Sequence, residues 1–252
     1  GALIRDGAES AKITLQTAEK NQFEAILHQR GKNFSRNAKK LTLKELIGQI
    51  PTLLFCPELI QLFAGDKKNR VLFFDRFLAQ VIPQYRDHLL RADKAHRYKT
   101  QILKNAEVFD SSVAAQLQPW NQILAETVPE IYRIRSEFLE VINPMLESLY
   151  QKISNTNESV RISIKLAENY TPTTEGCAQF LSDQQQREIL VRKNFLSPHR
   201  DDFIFQLRDK PIVQTASRGE SRSMILSILA TQKQYLIEHL QKTPILLLDD
   251  VF

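Results

Sequence analysis

Two carboxylates close a short aliphatic run near the carboxyl end of this chain: Ile245-Leu246-Leu247-Leu248-Asp249-Asp250. A run this short, preceded by Thr243-Pro244, reads as a buried strand of a parallel sheet. Acids at the carboxyl end of such a strand sit where open α/β sheets bind ligands. Nucleotide hydrolysis needs such a pair, one carboxylate to hold Mg²⁺ and one to orient a water. Away from a triphosphate the same pair reads as turn carboxylates.

A second constellation is Ser217-Arg218-Gly219-Glu220, at the start of the last long helical segment. Serine followed three residues later by glutamate is a capping box, in which both side chains satisfy orphan amides. The same physics makes a phosphate site: serine, glycine and free amides at a helix N-terminus. Gly219 lets a backbone approach a phosphate with no side chain in the way. The helix leads directly into the Asp249-Asp250 strand, which favours the functional reading. A third segment, Ser197-Pro198-His199-Arg200-Asp201-Asp202, holds a lone histidine and an Asp-Asp pair of turn character. Neither a metal triad nor a nucleophile elbow emerges from it. The sequence contains no G-x-x-x-x-G-K-[ST] phosphate loop; Gly31-Lys32 is followed by Asn33 and lacks the earlier glycine.

The elements that must position these groups fall into three stretches. Ala11 to Phe55 is β-rich: Ile13 and Leu15 alternate with polar residues, Phe23, Ala25 and Leu27 do so less cleanly, and Glu19-Lys20-Asn21 is a hairpin turn. A short helix is expected over 41–50, then the strand Thr52 to Phe55. From Asn69 the period is helical, with Phe73, Phe74, Phe77 and Leu78 on one stripe and Pro83 in the first turn of a second helix. A connection over 108–113 leads to a long helical stretch from Trp120 to Ile153, which Pro129 and Pro144 should kink or break. After a polar linker, Val160, Ile162, Ile164 and Leu166 form a strand. Residues 171–176 read as loop, 183–194 as helix and 203–207 as a strand that turns back into Ile212-Val213. A helix over 218–241 then leads into the terminal strand. The expected class is α/β of mixed α+β character, an α/β lobe with a helical lobe inserted. The expected boundaries are 1–68 for a β-rich part, 69–158 for the helical lobe, and 159–252 for the strands, the capped helix and the acidic strand.

Composition narrows the partners. With 252 residues, 42% hydrophobic and 25% charged, the chain holds one or two ordinary globular domains. No stretch approaches the roughly 18 apolar residues of a membrane span, and no signal peptide is visible. Gly1-Ala2 reads as a cloning remnant. Cys56 and Cys177 stand far apart and suggest reduced thiols in the cytosol. The net charge of +5 mildly favours polyanions. The cations cluster: Arg30 to Lys40, then Lys67, Lys68 and Arg70, then Arg86 to Lys104. Each cluster reads as a solvated face or as a phosphate-backbone footprint.

Taken together these segments resemble the RecF family of DNA replication and repair proteins, relatives of the ABC-type ATPases and SMC heads. Residues 196–202 resemble that family's G-P-H-R-D-D segment, 216–222 its S-x-G-x-x-R signature, and 244–252 its Walker B strand, P-x-L-L-L-D-D-V-F. Residues 54–58 look like its F-S-P-E segment, and 65–75 loosely like G-S-P-x-x-R-R-x-F-L-D. The sequence departs from these patterns at Ser197, at Asp66-Lys67, at Val71 and at Ser221.

The resemblance implies part of an ABC-type ATPase head with an inserted helical lobe. Its bearer would be a cytoplasmic, nucleoid-associated bacterial protein of DNA replication, repair, recombination and the SOS response. It would bind duplex or gapped DNA in an ATP-dependent manner and load recombination machinery at gaps, with a RecR-like recombination mediator as partner. It would form an ATP-dependent homodimer and have no membrane partner. ATP and Mg²⁺ are the implied cofactors. Ser217, Arg218, Gly219, Glu220 and Arg222 would bind ATP in trans, Asp249 would orient Mg²⁺ and Asp250 would be the catalytic base or water-positioning residue. Lys67, Lys68 and Arg70 are the candidate DNA contacts. The phosphate loop of that family lies upstream of the segment matching Leu3, so the chain reads as the central part of a longer protein. By itself it is expected to hold no cofactor and not to hydrolyse ATP. The competing readings are a non-catalytic protein-interaction module and an SMC-like head, the latter disfavoured because no heptad-bearing coiled coil flanks the helical block. A metal-dependent nuclease is weaker still.

Overall fold

The protein's structure, a computed structural model, describes residues 3–106, 111–241 and 243–249. It comprises two compact units, Gly1–Pro51 and Thr52–Phe252.

In the first unit β1 (Ser10–Gln16), β2 (Gln22–His28), β3 (Gly31–Arg36) and β4 (Lys39–Leu41) form an antiparallel meander in chain order. The register places Leu15 opposite Phe23, Phe34 opposite Ala25 and Leu41 opposite Phe34, which gathers the apolar side chains on one face. The hairpin turn falls where the sequence places it, with Lys20 at φ 61°. The helix expected over 41–50 shrinks to one turn, α1 (Leu43–Leu46), held by a Thr42–Glu45 capping box. Gly48, at φ 84°, takes a left-handed conformation suited to glycine just beyond that turn.

The second unit opens with β5 (Thr52–Phe55), a 3₁₀ turn over Pro57–Ile60 and α2 (Gln61–Ala64). Three long helices follow: α3 (Lys67–Val81), α4 (Pro83–Asn105) and α5 (Ser111–Ser154). Then come β6 (Val160–Lys165), α6 (Thr174–Val191), β7 (Asp202–Leu207), β8 (Lys210–Pro211), α7 (Ile212–Thr215), α8 (Arg218–Leu240) and β9 (Ile245–Leu248). β5 and β9 pair in parallel, and β6, β7 and β8 form an antiparallel sheet in that order. The architecture is mixed α/β.

The core is aromatic where α3 meets β7: Phe74 stacks on Phe203 with ring centroids 4.2 Å apart, and Phe77, Phe138 and Tyr235 close around it. The apolar stripe of α5, including Leu124, Val128, Ile131, Phe138 and Ile142, is buried against α4, α6 and α8. That packing accounts for one departure from expectation. Pro119, Pro129 and Pro144 lie inside the 44-residue helix without ending it. An interior proline costs about 3 kcal/mol, and burial of a stripe this long offsets it at about 1.5–3 kcal/mol per large side chain. Near Pro144 the Asn143 amide also grips the outer edge of β6, accepting from Ile162 N at 2.8 Å and donating to Ile162 O at 3.0 Å.

Two further departures have local causes. α6 begins at Thr174 rather than near 183, because Thr173 caps the Gly176 amide at 3.1 Å. A Cβ at Gly176 would collide with the Thr171 carbonyl, so glycine is required there. Ile212-Val213 forms a helical turn in place of a strand; one turn buries Ile212 and leaves Val213 exposed.

The acidic strand β9 is parallel, as its sequence suggests, but not buried. Among the described residues it pairs on one side only, and Ile245 to Leu248 are 37 to 63% exposed. Parallel strands are normally covered on both faces.

Candidate nucleotide-signature site

Ser217 is the N-cap of α8. Its hydroxyl accepts from Glu220 N at 3.2 Å, and the Glu220 carboxylate accepts from Ser217 N at 2.6 Å. The capping box read from the sequence is therefore present. Hydrogen bonding of the Glu220 carboxyl to the Ser217 backbone amide, and next to the Ser217 side chain, holds it below its ordinary range and keeps it ionised. Arg208 balances that charge from the β7–β8 hairpin, where Arg208 and Asp209 take φ of 54° and 58°. Its guanidinium pairs with Glu220 at 3.0 Å and with Glu158 at 2.6 Å, and donates to Thr215 O at 3.2 Å. Glu220 thus builds the turn and anchors it to the sheet.

The rest of the turn faces outward. Ser217, Arg218, Gly219 and Arg222 are exposed. The Arg218 and Gly219 amides meet no acceptor among the described residues, as befits the first turn of a helix. A Cβ added at Gly219 would meet only the Ser217 hydroxyl, at 4.0 Å. The fold therefore does not need glycine at this position. Two unsatisfied amides, the positive end of a helix about 34 Å long and two arginines fit an anion such as the terminal phosphate of ATP.

Asp249 extends the β5–β9 pairing, its amide donating to Phe55 O at 2.9 Å, and its side chain is exposed. Asp250 lies outside the described residues. Ser217 and Asp249 sit at opposite ends of one helix–strand unit. The strand returns along the helix by only about 16 Å, which leaves Asp249 on the order of 15–20 Å short of Ser217. A cavity of about 370 Å³ lies against β5, α3 and the middle of α8, lined by Leu53, Cys56, Glu58, Arg76 and Gln232 among others. Neither the signature residues nor Asp249 line it.

The three candidate DNA contacts differ. Arg70 is committed within the protein: it binds Asp202 through Nε at 2.7 Å and Nη2 at 2.9 Å, and donates to the Gly65 and Leu62 carbonyls at 2.6 and 3.2 Å. Lys67 donates to Arg200 O at 3.0 Å. Lys68 is exposed.

The segment 197–202, in which the sequence shows no chemistry, is a structural junction. Arg135 from α5 is fully buried and pairs with Asp75 of α3 at 2.7 Å and with Asp201 at 3.2 Å. It also donates to Pro198 O at 3.0 Å and to the Tyr85 hydroxyl at 2.9 Å, and that hydroxyl donates to Asp75. Burial pushes the Asp201 carboxyl up to about 6, against the pull of Arg135 and the Ala167 amide. His199 pairs with Asp93, and that hydrogen bond raises its pKa above the ordinary histidine value. Asp202 holds Arg70. A second buried pair, Lys99–Glu188 at 2.6 Å, ties α4 to α6. The sequence does carry a signal for these groups. Val128, Ile131, Phe138 and Ile142 set a helical stripe into which Arg135 falls, and Ala92, Ala95 and Leu103 do the same for Lys99.

No family model matches the chain. It is similar over most of its length to curated proteins named DNA replication and repair protein RecF. With that of Phocaeicola vulgatus it shares 30% identity over 223 residues, 88% of this chain and 58% of the relative. With that of Syntrophotalea carbinolica it shares 30% over 254 residues, 100% of this chain and 65% of the relative. The chain thus spans 58 to 65% of the length of these two relatives. Its fold matches the solved structure of the recombination mediator protein RecF-ATP of the RecFOR pathway, with a TM-score of 0.87 at 23% identity over 99% of this chain and 69% of that one.

Proposed function

The chain is a homologue of the RecF proteins, and on that premise we propose that it acts in DNA replication and repair as part of an ATP-dependent DNA-binding head. The N-terminus of α8 is the signature half of a composite nucleotide site. Its other half, with the phosphate loop, belongs to a second copy of the protein. The observation that carries this reading is Gly219: an exposed glycine in the first turn of a capped helix, with open space where a Cβ would be. Ser217, the Arg218 and Gly219 amides and Arg222 would meet the terminal phosphate. Asp249, with Asp250 beside it in sequence, would serve the nucleotide bound by its own head. Bound Mg²⁺-ATP would supply the phosphoryl group and the charge that draw two heads together. The separation of Ser217 from Asp249 supports action in trans.

DNA and a RecR-like mediator are the proposed partners. Among the three cations singled out in the sequence, Lys68 and Lys67 are the proposed DNA contacts, since the donors of Arg70 are already engaged. The exposed apolar strand β9 is the proposed seat of the remaining ATPase sheet.

Ser217→Asp tests the signature reading in a polypeptide of full RecF length. Aspartate caps a helix as well as serine does, so the melting temperature should hold. A negative charge would now face the phosphate, and ATP turnover should fall at least about tenfold while ATP binding to the phosphate loop persists. Unchanged turnover would overturn the reading.

A further inference from the structure

The hairpin between β7 and β8 turns on Arg208 and Asp209, at φ of 54° and 58°. A two-residue hairpin turn of this kind needs positive φ at both positions, which is why Asn-Gly is its usual sequence. Arginine and aspartate adopt that conformation against their ordinary preference. What arginine adds at this position is reach. Its backbone is fixed beside the sheet, Arg208 N donating to Ser159 O at 2.9 Å. Its guanidinium then spans three elements. Nη1 pairs with Glu158, just ahead of β6, at 2.6 Å. Nη2 pairs with Glu220 in the first turn of α8 at 3.0 Å and donates to Thr215 O at the end of α7 at 3.2 Å. Ser217 lies between Thr215 and Glu220 in the chain, so one guanidinium holds the backbone on both sides of the Ser217 hydroxyl.

We propose that Arg208 is a positioning residue for the terminal phosphate of ATP at the Ser217 turn: it fixes the turn from both sides and cancels the Glu220 carboxylate that the capping box requires. This deepens, and rests on, the signature reading of α8. Glu220 presents a conflict at such a site, because the cap needs its carboxylate and a phosphate is repelled by it. The charges on the turn and in the ion-pair chain behind it are Arg208, Arg218 and Arg222 against Glu158 and Glu220, a net +1. Without Arg208 the same set is neutral, and two carboxylates stand across the gap it leaves. Arg208 acts through the turn and not on the phosphate itself, since its terminal nitrogens are taken by two carboxylates and a carbonyl.

Arg208→Gln and Arg208→Lys in a polypeptide of full RecF length test this, with Ser217→Asp as the reference. ATP-dependent self-association is followed by analytical ultracentrifugation at two salt concentrations, and ATP turnover as a function of protein concentration. Arg208→Gln should raise the concentration for half-maximal self-association about threefold to tenfold at roughly 0.1 M salt, and by a clearly smaller factor near 1 M, where exposed charges are screened. Turnover should fall at low protein and return to the wild-type rate at saturating protein, whereas Ser217→Asp stays low throughout. Arg208→Lys keeps the charge and should recover most of the loss. The side chain is 41% exposed, so the melting temperature of the nucleotide-free protein should hold within a few degrees. If Arg208→Gln self-associates and turns over ATP like the wild type while Ser217→Asp is inactive, the positioning role is overturned and the signature reading stands. If neither substitution lowers turnover, both fall. A loss in Arg208→Gln that comes with a lower melting temperature and is not recovered by Arg208→Lys is a fold defect, and it too overturns the role.

Discussion

Gly219 and Arg135 mark two ways in which a residue can be out of place. Glycine in the first turn of α8 costs the fold backbone entropy without relieving any clash. Gly219→Ala should therefore raise stability by about 0.5–1 kcal/mol in urea denaturation, while weakening ATP-dependent self-association of the full-length protein. Arg135 is the reverse case, a charge that the core cannot lose. Arg135→Met would strand Asp75 and Asp201 in the interior and should cost about 3–5 kcal/mol. The junction also sets a pH dependence. The folded pKa of Asp201, about 6, stands above the unfolded value. The stability from this group is therefore full below about pH 4 and is lost as pH rises through 6. His199 shifts in the same direction. Urea midpoints of the wild type should accordingly carry a downward contribution from Asp201 between about pH 4 and 6, which Asp201→Asn should lose, while that of His199 falls above about pH 6.5.

At the scale of elements, α5 tests how far packing overrides propensity. Pro144 is exposed and interrupts the backbone ladder of a helix held in place by its buried stripe. Pro144→Ala should restore the missing hydrogen bond and stabilise the chain by roughly 1–3 kcal/mol, readable in thermal melts. The same helix shows what a sequence can and cannot disclose. Its stripe of Leu124, Val128, Ile131 and Phe138 is visible as period, so the helix and its buried face are legible. Its continuity through three prolines is not, because that depends on what α4, α6 and α8 bury against it. The capping boxes at Ser217–Glu220 and Thr42–Glu45 follow local rules; the first is readable directly, and the second was hidden inside a longer expected helix. The α6 boundary depends on the approach of Thr171 to Gly176, a contact between neighbours that no periodicity reports. The ion pairs Arg135–Asp75 and Lys99–Glu188 leave half a signal, a charge on an apolar stripe whose partner only the tertiary structure reveals.

At the scale of the whole molecule, the exposed strand β9 and the outward-facing turn of α8 point the same way. A parallel strand of four aliphatics with 37 to 63% of its surface open is a sheet edge awaiting cover. The outward-facing turn at Ser217 lines no part of the cavity beside β5. On the proposed function, the other half of the nucleotide site belongs to a second copy of the protein. A mixing experiment with two inactive variants of the full-length protein tests that assignment most directly. One variant carries Ser217→Asp and the other Asp249→Asn, and ATP turnover is followed as they are combined. If the signature acts in trans, each mixed dimer contains one intact composite site, and turnover should reappear in the mixture. If turnover stays as low as in either variant alone, although the two associate, Ser217 and Asp249 serve the same nucleotide from one chain and the account is contradicted.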